Sequence, residues 1–347
     1  MTREVKIGSL KIGGGNRIAI QSMTNTKTDD IEATSAQIAA LARAGADLVR
    51  VAVPDMAAAD AVGELVRRSP VPLSADIHFD YRLALRCVEQ GIAKVRLNPG
   101  NIGDKHRVYE VADACAARGV PIRVGVNSGS VQRELLAKYG GPTADALCES
   151  ALWHVKLLEE CGFSNIVISL KSSSVRTTVA SYRKLAALCD YPLHLGVTEA
   201  GTERMGVLKS AVGIGSLLLD GIGDTFRVSL TEDPVREIAA AKDILKAVGL
   251  GEGPELVCCP TCGRTRIDLI GLAKEVERRL SDVSLPVKVA VMGCAVNGPG
   301  EAREADIGIA GGDGKCILFK AGEIVASFPE EEAVDRLISE IKRMERR

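Results

Sequence analysis

Asp80-Tyr81-Arg82-Leu83-Ala84-Leu85-Arg86-Cys87-Val88-Glu89-Gln90-Gly91-Ile92-Ala93-Lys94-Val95-Arg96-Leu97-Asn98 is one module of a repeating pattern. Asp80–Gln90 is amphipathic at helical spacing, Gly91 stands where a C-cap glycine belongs, and Ala93–Asn98 reads as a strand. The same order recurs on either side. Ile31–Ala44 and Gly45 lead into a strand over Asp47–Val53, and Ala144–Cys161 and Gly162 lead into Asn165–Lys171. Gly119 precedes a strand over Pro121–Val126, and further strands are expected over Arg17–Gln21, Val71–Ile77, Leu193–Val197 and Ile222–Leu230. A weak internal echo accompanies them, since Val49-Arg50-Val51, Val95-Arg96-Leu97 and Ile122-Arg123-Val124 each place an arginine inside a strand. Eight βα units in about 235 residues is the count of a TIM (β/α)8 barrel. The fold class expected for residues 1–250 is therefore an α/β barrel.

The alternation stops at Leu250-Gly251-Glu252-Gly253-Pro254, a linker by its glycine and proline content. Beyond it, strands are expected over Glu255–Cys259, Val287–Met292, Asp306–Ile309, Lys315–Lys320 and Glu323–Ser327, with amphipathic helices over Arg266–Leu280 and Glu330–Arg346. Residues 255–347 thus form a second, small α+β domain. Two domains also suit a chain of 347 residues.

Composition narrows the function. Hydrophobic residues are 46% and charged residues 26%, a soluble globular profile. A net charge of -1 gives no electrostatic footprint for nucleic acid or an anionic membrane, and aromatics at 3% leave little for base stacking. The N-terminus has no apolar signal core and no run is long enough to span a bilayer, so the expected location is the cytoplasm. There, ten cysteines do not make a disulfide framework. Cys87, Cys115, Cys148, Cys161 and Cys189 stand singly in apolar contexts and read as small core residues.

The C-terminal strand ends of a barrel carry its chemistry, and here they are polar. Asp76 and His78 end strand three, and Arg96 and Asn98 share a face of strand four. Arg123, Gly125 and Asn127 share a face of strand five, Lys171 ends strand six, Glu199 follows strand seven, and Arg227 and Ser229 share a face of strand eight. Any one of these could be a rim ion pair. Arginine inside a strand is different, because a buried guanidinium is costly without an anion. Arg96, Arg123, Arg227 and Lys171 together make a cationic cavity suited to phosphate or diphosphate. The runs Gly13-Gly14-Gly15 and Gly311-Gly312 have no nucleotide-binding spacing and read as turns.

The second domain holds Cys259-Pro260-Thr261-Cys262-Gly263-Arg264 and Met292-Gly293-Cys294-Ala295-Val296-Asn297-Gly298-Pro299-Gly300-Glu301. Cys259 and Cys262 are spaced to face one side of a turn, Cys294 joins from another turn, and Glu301 follows seven residues later. Three soft ligands and one hard one suit an iron–sulfur cluster with one open iron; a zinc ribbon or buried thiols are the alternatives. Cys258 should point away from Cys259 if that segment is extended.

With both constellations in hand, the chain resembles the 4-hydroxy-3-methylbut-2-en-1-yl diphosphate synthase family. The carrying stretches include Ile20-Gln21-Ser22-Met23-Thr24-Asn25-Thr26, Ala75-Asp76-Ile77-His78-Phe79, Val95-Arg96-Leu97-Asn98-Pro99-Gly100-Asn101 and Arg123-Val124-Gly125-Val126-Asn127-Ser128-Gly129-Ser130. Ser169-Leu170-Lys171-Ser172-Ser173, Gly196-Val197-Thr198-Glu199-Ala200-Gly201, Gly221 through Ser229 and both cysteine motifs complete it, so the match spans nearly the whole chain. The resemblance implies a two-domain bacterial form that opens and reductively dehydroxylates 2-C-methyl-D-erythritol 2,4-cyclodiphosphate in isoprenoid biosynthesis. It implies a [4Fe–4S] cluster on Cys259, Cys262, Cys294 and Glu301, and diphosphate binding by Arg96, Arg123, Asn127, Lys171, Arg227 and Ser229. It further implies proton handling by Glu199 with Asp76 and His78 on the same rim, and ferredoxin or flavodoxin as electron donor. A head-to-tail homodimer, one subunit's barrel facing the other's cluster domain, completes the picture. Two rivals exist: a phosphosugar or pterin-type barrel with a zinc appendage, and an electron carrier built on the second domain. The run of three cysteines typical of radical-SAM enzymes is absent.

Overall fold

The computed structural model describes residues 1–102, 104–294, 303–312 and 314–345. The chain divides into two compact units, Met1–Val248 and Gly249–Arg347.

The first unit is a barrel of eight parallel strands. A hairpin, β1 (Val5–Ile7) with β2 (Leu10–Ile12), precedes them. The barrel strands are β3 (Ala19–Met23), β4 (Leu48–Ala52), β5 (Leu73–Asp76), β6 (Lys94–Leu97), β7 (Ile122–Asn127), β8 (Ile166–Lys171), β9 (His194–Leu195) and β10 (Thr225–Phe226). Their order around the sheet is β8-β7-β6-β5-β4-β3-β10-β9. The ring closes between β8 and β9 through the parallel pair Ile168 and Leu193, with Ile168 N–H donating to the Pro192 carbonyl at 2.9 Å. Each predicted strand overlaps one of these eight, and six contain it whole.

The helices begin where short polar side chains cap them. Asp30, Asp55, Asp80, Asp104, Thr143, Ser174 and Asp233 each accept a backbone N–H from the first turn, worth roughly 1 kcal/mol apiece. Gly45, Gly91, Gly119 and Gly162 all hold positive φ at the helix-to-strand turns, as their positions predict. Alternate residues of the strands face outward onto the helices and form the main apolar core, including Val49, Val51, Val95, Leu97, Val124, Ile166 and Ile168.

The inward residues form layers. The lowest is apolar: Ala19, Leu48 and Val167 pack with Val5, Ile7 and Ile12 of the hairpin, which plugs the N-terminal mouth. The hairpin has no counterpart among the strands expected from sequence, because two three-residue strands carry too little alternation to register. Gly13, Gly14 and Gly15 form the turn after it, all at positive φ, and a Cβ on Gly13 would sit 2.2 Å from the Arg3 carbonyl.

The second unit is a five-stranded sheet, β11 (Glu255–Cys258), β12 (Lys288–Met292), β13 (Ile307–Gly312), β14 (Lys315–Lys320) and β15 (Glu323–Pro329), in that order. The first three are parallel, the rest antiparallel. Helices Leu269–Leu280 and Ala333–Glu345 bury Val276, Leu337 and Ile341 with Val289, Val291 and Ile309 in one core. Gly311-Gly312 is not a turn but the end of β13, paired with Cys316 and Lys315. Ile267 lies 2.3 Å from where a Gly311 Cβ would be, so glycine there serves packing, not a bend.

Candidate active site

Above the apolar plug the barrel interior is polar. Most barrels of this kind fill this space with branched aliphatic side chains. Here Arg50, Asp76, His78, Arg96, Arg123, Asn127, Ser169, Lys171, Thr198, Arg227 and Ser229 line a hollow of ≈ 120 Å³ at the C-terminal strand ends. At about 30 Å³ per water, that is room for a phosphate-sized group. Parallel register explains the convergence: Asp76 pairs with Arg96, Arg96 with Arg123, and Asn127 with Lys171, so neighbouring strands deliver the members of each pair at one height.

The charges are unequally matched. Asp76 accepts from Arg96 Nη1 at 3.0 Å, lies 3.6 Å from Arg50 Nε, and has His78 Nε2 at 3.7 Å. Burial alone would raise its carboxyl; the Arg50 charge, the His78 ring and Arg96 outweigh that and hold it far below the usual carboxylate range. Arg227 is held bidentately by buried Glu237, at 3.0 and 2.9 Å. Between Arg50 and Arg227 lies the Met23 thioether, 2.9 Å from Arg50 Nη2 and 3.4 Å from Arg227 Nη1. Arg123 is the exception. It is 1% exposed, its Nη1 donates to Ser169 Oγ at 3.2 Å, and among the described residues its Nε and Nη2 have no hydrogen-bond partner. Burial and repulsion from Arg50 and Arg96 push it well down. Burial and the same cations push Lys171 well down as well.

The structure thus brings together all six residues expected to bind diphosphate, with Asp76 and His78 beside them. Glu199 is placed differently. It is exposed on the loop after β9, and Thr198, not Glu199, lines the hollow. Its backbone is left-handed at φ 52, a conformation disfavoured for a non-glycine residue and found where a loop is constrained. Arg50 was missed as a site residue. It belongs to the echo of strand arginines, but its inward direction follows only once the register of β4 against β5 is known.

In the second unit, parallel pairing puts the ends of β11 and β12 side by side, so the loops after them share one edge of the sheet. Cys259 and Cys262 lie on the first loop and Cys294 on the second. Gly293 N–H donates to Cys259 Sγ at 3.1 Å, and Arg266 N–H donates to the Gly293 carbonyl at 3.1 Å, tying the two loops. Backbone and side-chain hydrogen bonding from Arg264 pushes the exposed Cys262 thiol down, toward thiolate. All three thiols are free. This donor chemistry fits a thiophilic metal centre, although among the described residues no three His, Cys, Asp or Glu side chains converge at ligating distance. Glu301 lies outside the described residues. Cys258 is exposed and Cys316 buried in the core; neither is tied to Gly293.

Fold and site define a (β/α)8 barrel with a cationic mouth, joined to a unit with clustered free thiols. Residues 2–242 match the GcpE TIM-barrel domain and residues 255–343 the GcpE protein C-terminal domain, so the chain belongs to the GcpE family, a family of oxidoreductase enzymes. It is 59% identical over 342 residues to the 4-hydroxy-3-methylbut-2-en-1-yl diphosphate synthase (flavodoxin) of Clostridium perfringens, covering 98% of each chain. It is 58% identical over 344 residues to the protein of that name from Geobacter sulfurreducens, covering 99% of this chain and 98% of the relative. Among solved structures, dihydropteroate synthase from Stenotrophomonas maltophilia superposes with a TM-score of 0.53 at 19% identity, over 71% of this chain and 97% of that one. That likeness concerns the barrel fold alone.

Proposed function

We propose that the chain converts 2-C-methyl-D-erythritol 2,4-cyclodiphosphate to 4-hydroxy-3-methylbut-2-enyl diphosphate, with flavodoxin or ferredoxin as electron donor. The names of its relatives, which specify the product and flavodoxin, support this. The observation that carries it is Arg123: a fully buried guanidinium with two unpartnered nitrogens, on the wall of a hollow lined by four more cations. An anion in such a site offsets the cost of its unpaired buried charge. A diphosphate supplies acceptor oxygens for Arg123, Lys171 and Arg96, while Asn127 and Ser229 add neutral donors. Arg50 and Arg96 are prealigned by Asp76, and Arg227 by Glu237, so they can meet the ligand without reorganising. His78, exposed at the rim beside Asp76, would exchange a proton with the bound ligand. Glu199, on the loop after β9, serves proton transfer once that loop meets substrate.

Cys259, Cys262 and Cys294 would hold a [4Fe–4S] cluster, with Glu301 as the fourth ligand. When bound, the cluster supplies single electrons and a Lewis-acidic iron, which side chains do not. The protein is proposed to act in the cytoplasm; no described helix is long and apolar enough to cross a membrane. It is proposed to work as a head-to-tail homodimer, an assembly supported by the exposed row Met205, Leu208, Val212 and Leu219 on helix Glu203–Leu219.

The test is anaerobic purification with iron and sulfide analysis, then turnover of the cyclodiphosphate with reduced flavodoxin. Iron, sulfide and the enyl diphosphate product are expected. Zinc without sulfide would favour the phosphosugar-type barrel instead. Cys259→Ser, Cys262→Ser and Cys294→Ser should each lose the cluster, while Cys258→Ser and Cys316→Ser keep it. Glu301→Ala should retain iron but lose turnover.

A further inference from the structure

One buried cation lies outside the cavity wall. Lys94 of β6 points into the barrel, is wholly buried, and does not line the hollow. Its Nζ donates to Gln21 Oε1 at 2.9 Å, and among the described residues it has no carboxylate partner. Every strand around it can be named. β3 brings Gln21, β4 Arg50, and β5 Ser74, its register partner, with Asp76 two residues on. β7 brings Arg123, β8 Ser169 and Lys171, β9 His194, and β10 Thr225 with Arg227 beyond it. The only carboxylates among these groups and their partners are Asp76, committed to Arg50 and Arg96, and Glu237, committed to Arg227.

Six cations therefore meet two carboxylates: Arg50, Lys94, Arg96, Arg123, Lys171 and Arg227 against Asp76 and Glu237. An interior cannot hold such an excess fully charged. Guanidinium groups are roughly two units or more above ammonium in basicity and keep their protons. The lysines yield first. Burial, then Arg123 and Arg50, push Lys94 well below an ordinary lysine. Burial and the surrounding cations hold His194 well below an ordinary histidine, and among the described residues neither of its ring nitrogens has a partner.

We propose that Lys94 is a switchable counter-charge for the ligand: neutral in the free barrel, it takes a proton from solvent when a diphosphate fills the hollow above it, and returns it on release. The inference rests on the diphosphate reading of the cavity. The hydroxyls of Ser74 and Thr225 and the His194 ring, all buried and without hydrogen-bond partners among the described residues, offer the proton a polar route. The arrangement keeps a surplus positive charge out of the empty barrel and supplies it when the polyanion arrives.

Calorimetric titration of the full chain with inorganic pyrophosphate, at mildly alkaline pH in buffers of different ionisation enthalpy, counts protons exchanged on binding. After correction for pyrophosphate's own ionisation, the wild type should take up about one proton through Lys94. Uptake means that affinity falls as pH rises. In Lys94→Met that proton should be missing and affinity should depend less on pH. Lys94→Gln, which still offers Gln21 a donor, is the second variant should the methionine not fold. If the wild type binds pyrophosphate with no net uptake, or with the same uptake as Lys94→Met, the inference is overturned. Loss of uptake in His194→Gln but not in Lys94→Met would move the proton to His194 and equally overturn it. If pyrophosphate does not bind the wild type at all, the diphosphate reading fails, a distinguishable result.

Discussion

Arg123 and Asp76 illustrate opposite uses of a buried charge. Arg123 is buried without a carboxylate partner and exposed to repulsion from Arg50 and Arg96. Replacing such a group by an apolar side chain of similar length is often neutral or stabilising. Arg123→Met should therefore leave the ligand-free melting temperature unchanged or higher. It should weaken pyrophosphate binding by about ten- to a hundred-fold, the loss of a charge-assisted contact worth roughly 1.5–3 kcal/mol. Calorimetry and a thermal melt on one preparation check both halves; unchanged binding would return Arg123 to a structural role. Asp76 is the anchor. Asp76→Asn leaves Arg50 and Arg96 without their carboxylate and should destabilise the barrel by about 3–5 kcal/mol. The pH dependence follows in sign. Because the folded carboxyl is held below its ordinary value, its contribution is present above about pH 4 and is lost as pH falls below that. Denaturant melts across acid pH should show this limb in the wild type and a smaller one in Asp76→Asn.

At the scale of elements, small residues decide how closely layers meet. Helix Glu203–Leu219 carries apolar residues on its inner and outer faces, with Gly213 facing Val197 and Gly206 facing Leu230 at distances a Cβ would make 2.8 and 2.6 Å. The helix is thereby seated close to the barrel, and its outer face carries Met205, Leu208, Val212 and Leu219. An exposed apolar row on an otherwise buried helix is ordinarily covered by a partner. In the second unit, Gly308 of β13 plays a similar part: a Cβ would lie 2.4 Å from Phe319 Cζ and 2.7 Å from the Ala290 carbonyl. Since backbone cannot yield cheaply, Gly308→Ala should destabilise this unit by roughly 1–3 kcal/mol. Hydrogen exchange should show the loss in the strands of residues 255–329 while the barrel amides keep their protection.

For the whole molecule the question is assembly. If the outer row on helix Glu203–Leu219 joins two subunits, Val212→Asp, at a position 61% exposed, should give monomers by sedimentation with the fold intact by circular dichroism. A dimer that survives this change would place the contact elsewhere. A second experiment asks whether the active site is shared between chains. Mixing an Arg123→Met subunit with a Cys294→Ser subunit should restore part of the turnover. No recovery, with heterodimers shown to form, would argue for a site within one chain.

The barrel was legible because its determinants are local. Alternating apolar strands, helical faces and the glycines at 45, 91, 119 and 162 punctuate each βα unit within a few residues, and the structure holds those glycines at positive φ. The cationic mouth was legible for the same reason: arginine inside a strand, as at Arg96 and Arg123, declares its unusual environment before any neighbour is known. The hairpin at Val5–Ile12, the strand role of Gly311, the exposure of Glu199 and the inclusion of Arg50 were not legible. Each depends on what stands opposite: the apolar floor of the closed barrel, the Ile267 side chain, the turn after β9, the register of β4 on β5. Sequence by itself determined the eight-unit barrel, the second domain and the residue types at the strand ends. Only the tertiary structure decided which charges are matched, because pairing Asp76 with Arg50 and Arg96, and Glu237 with Arg227, while leaving Arg123, Lys171 and Lys94 without a carboxylate among the described residues, is a property of the closed ring and of no segment within it.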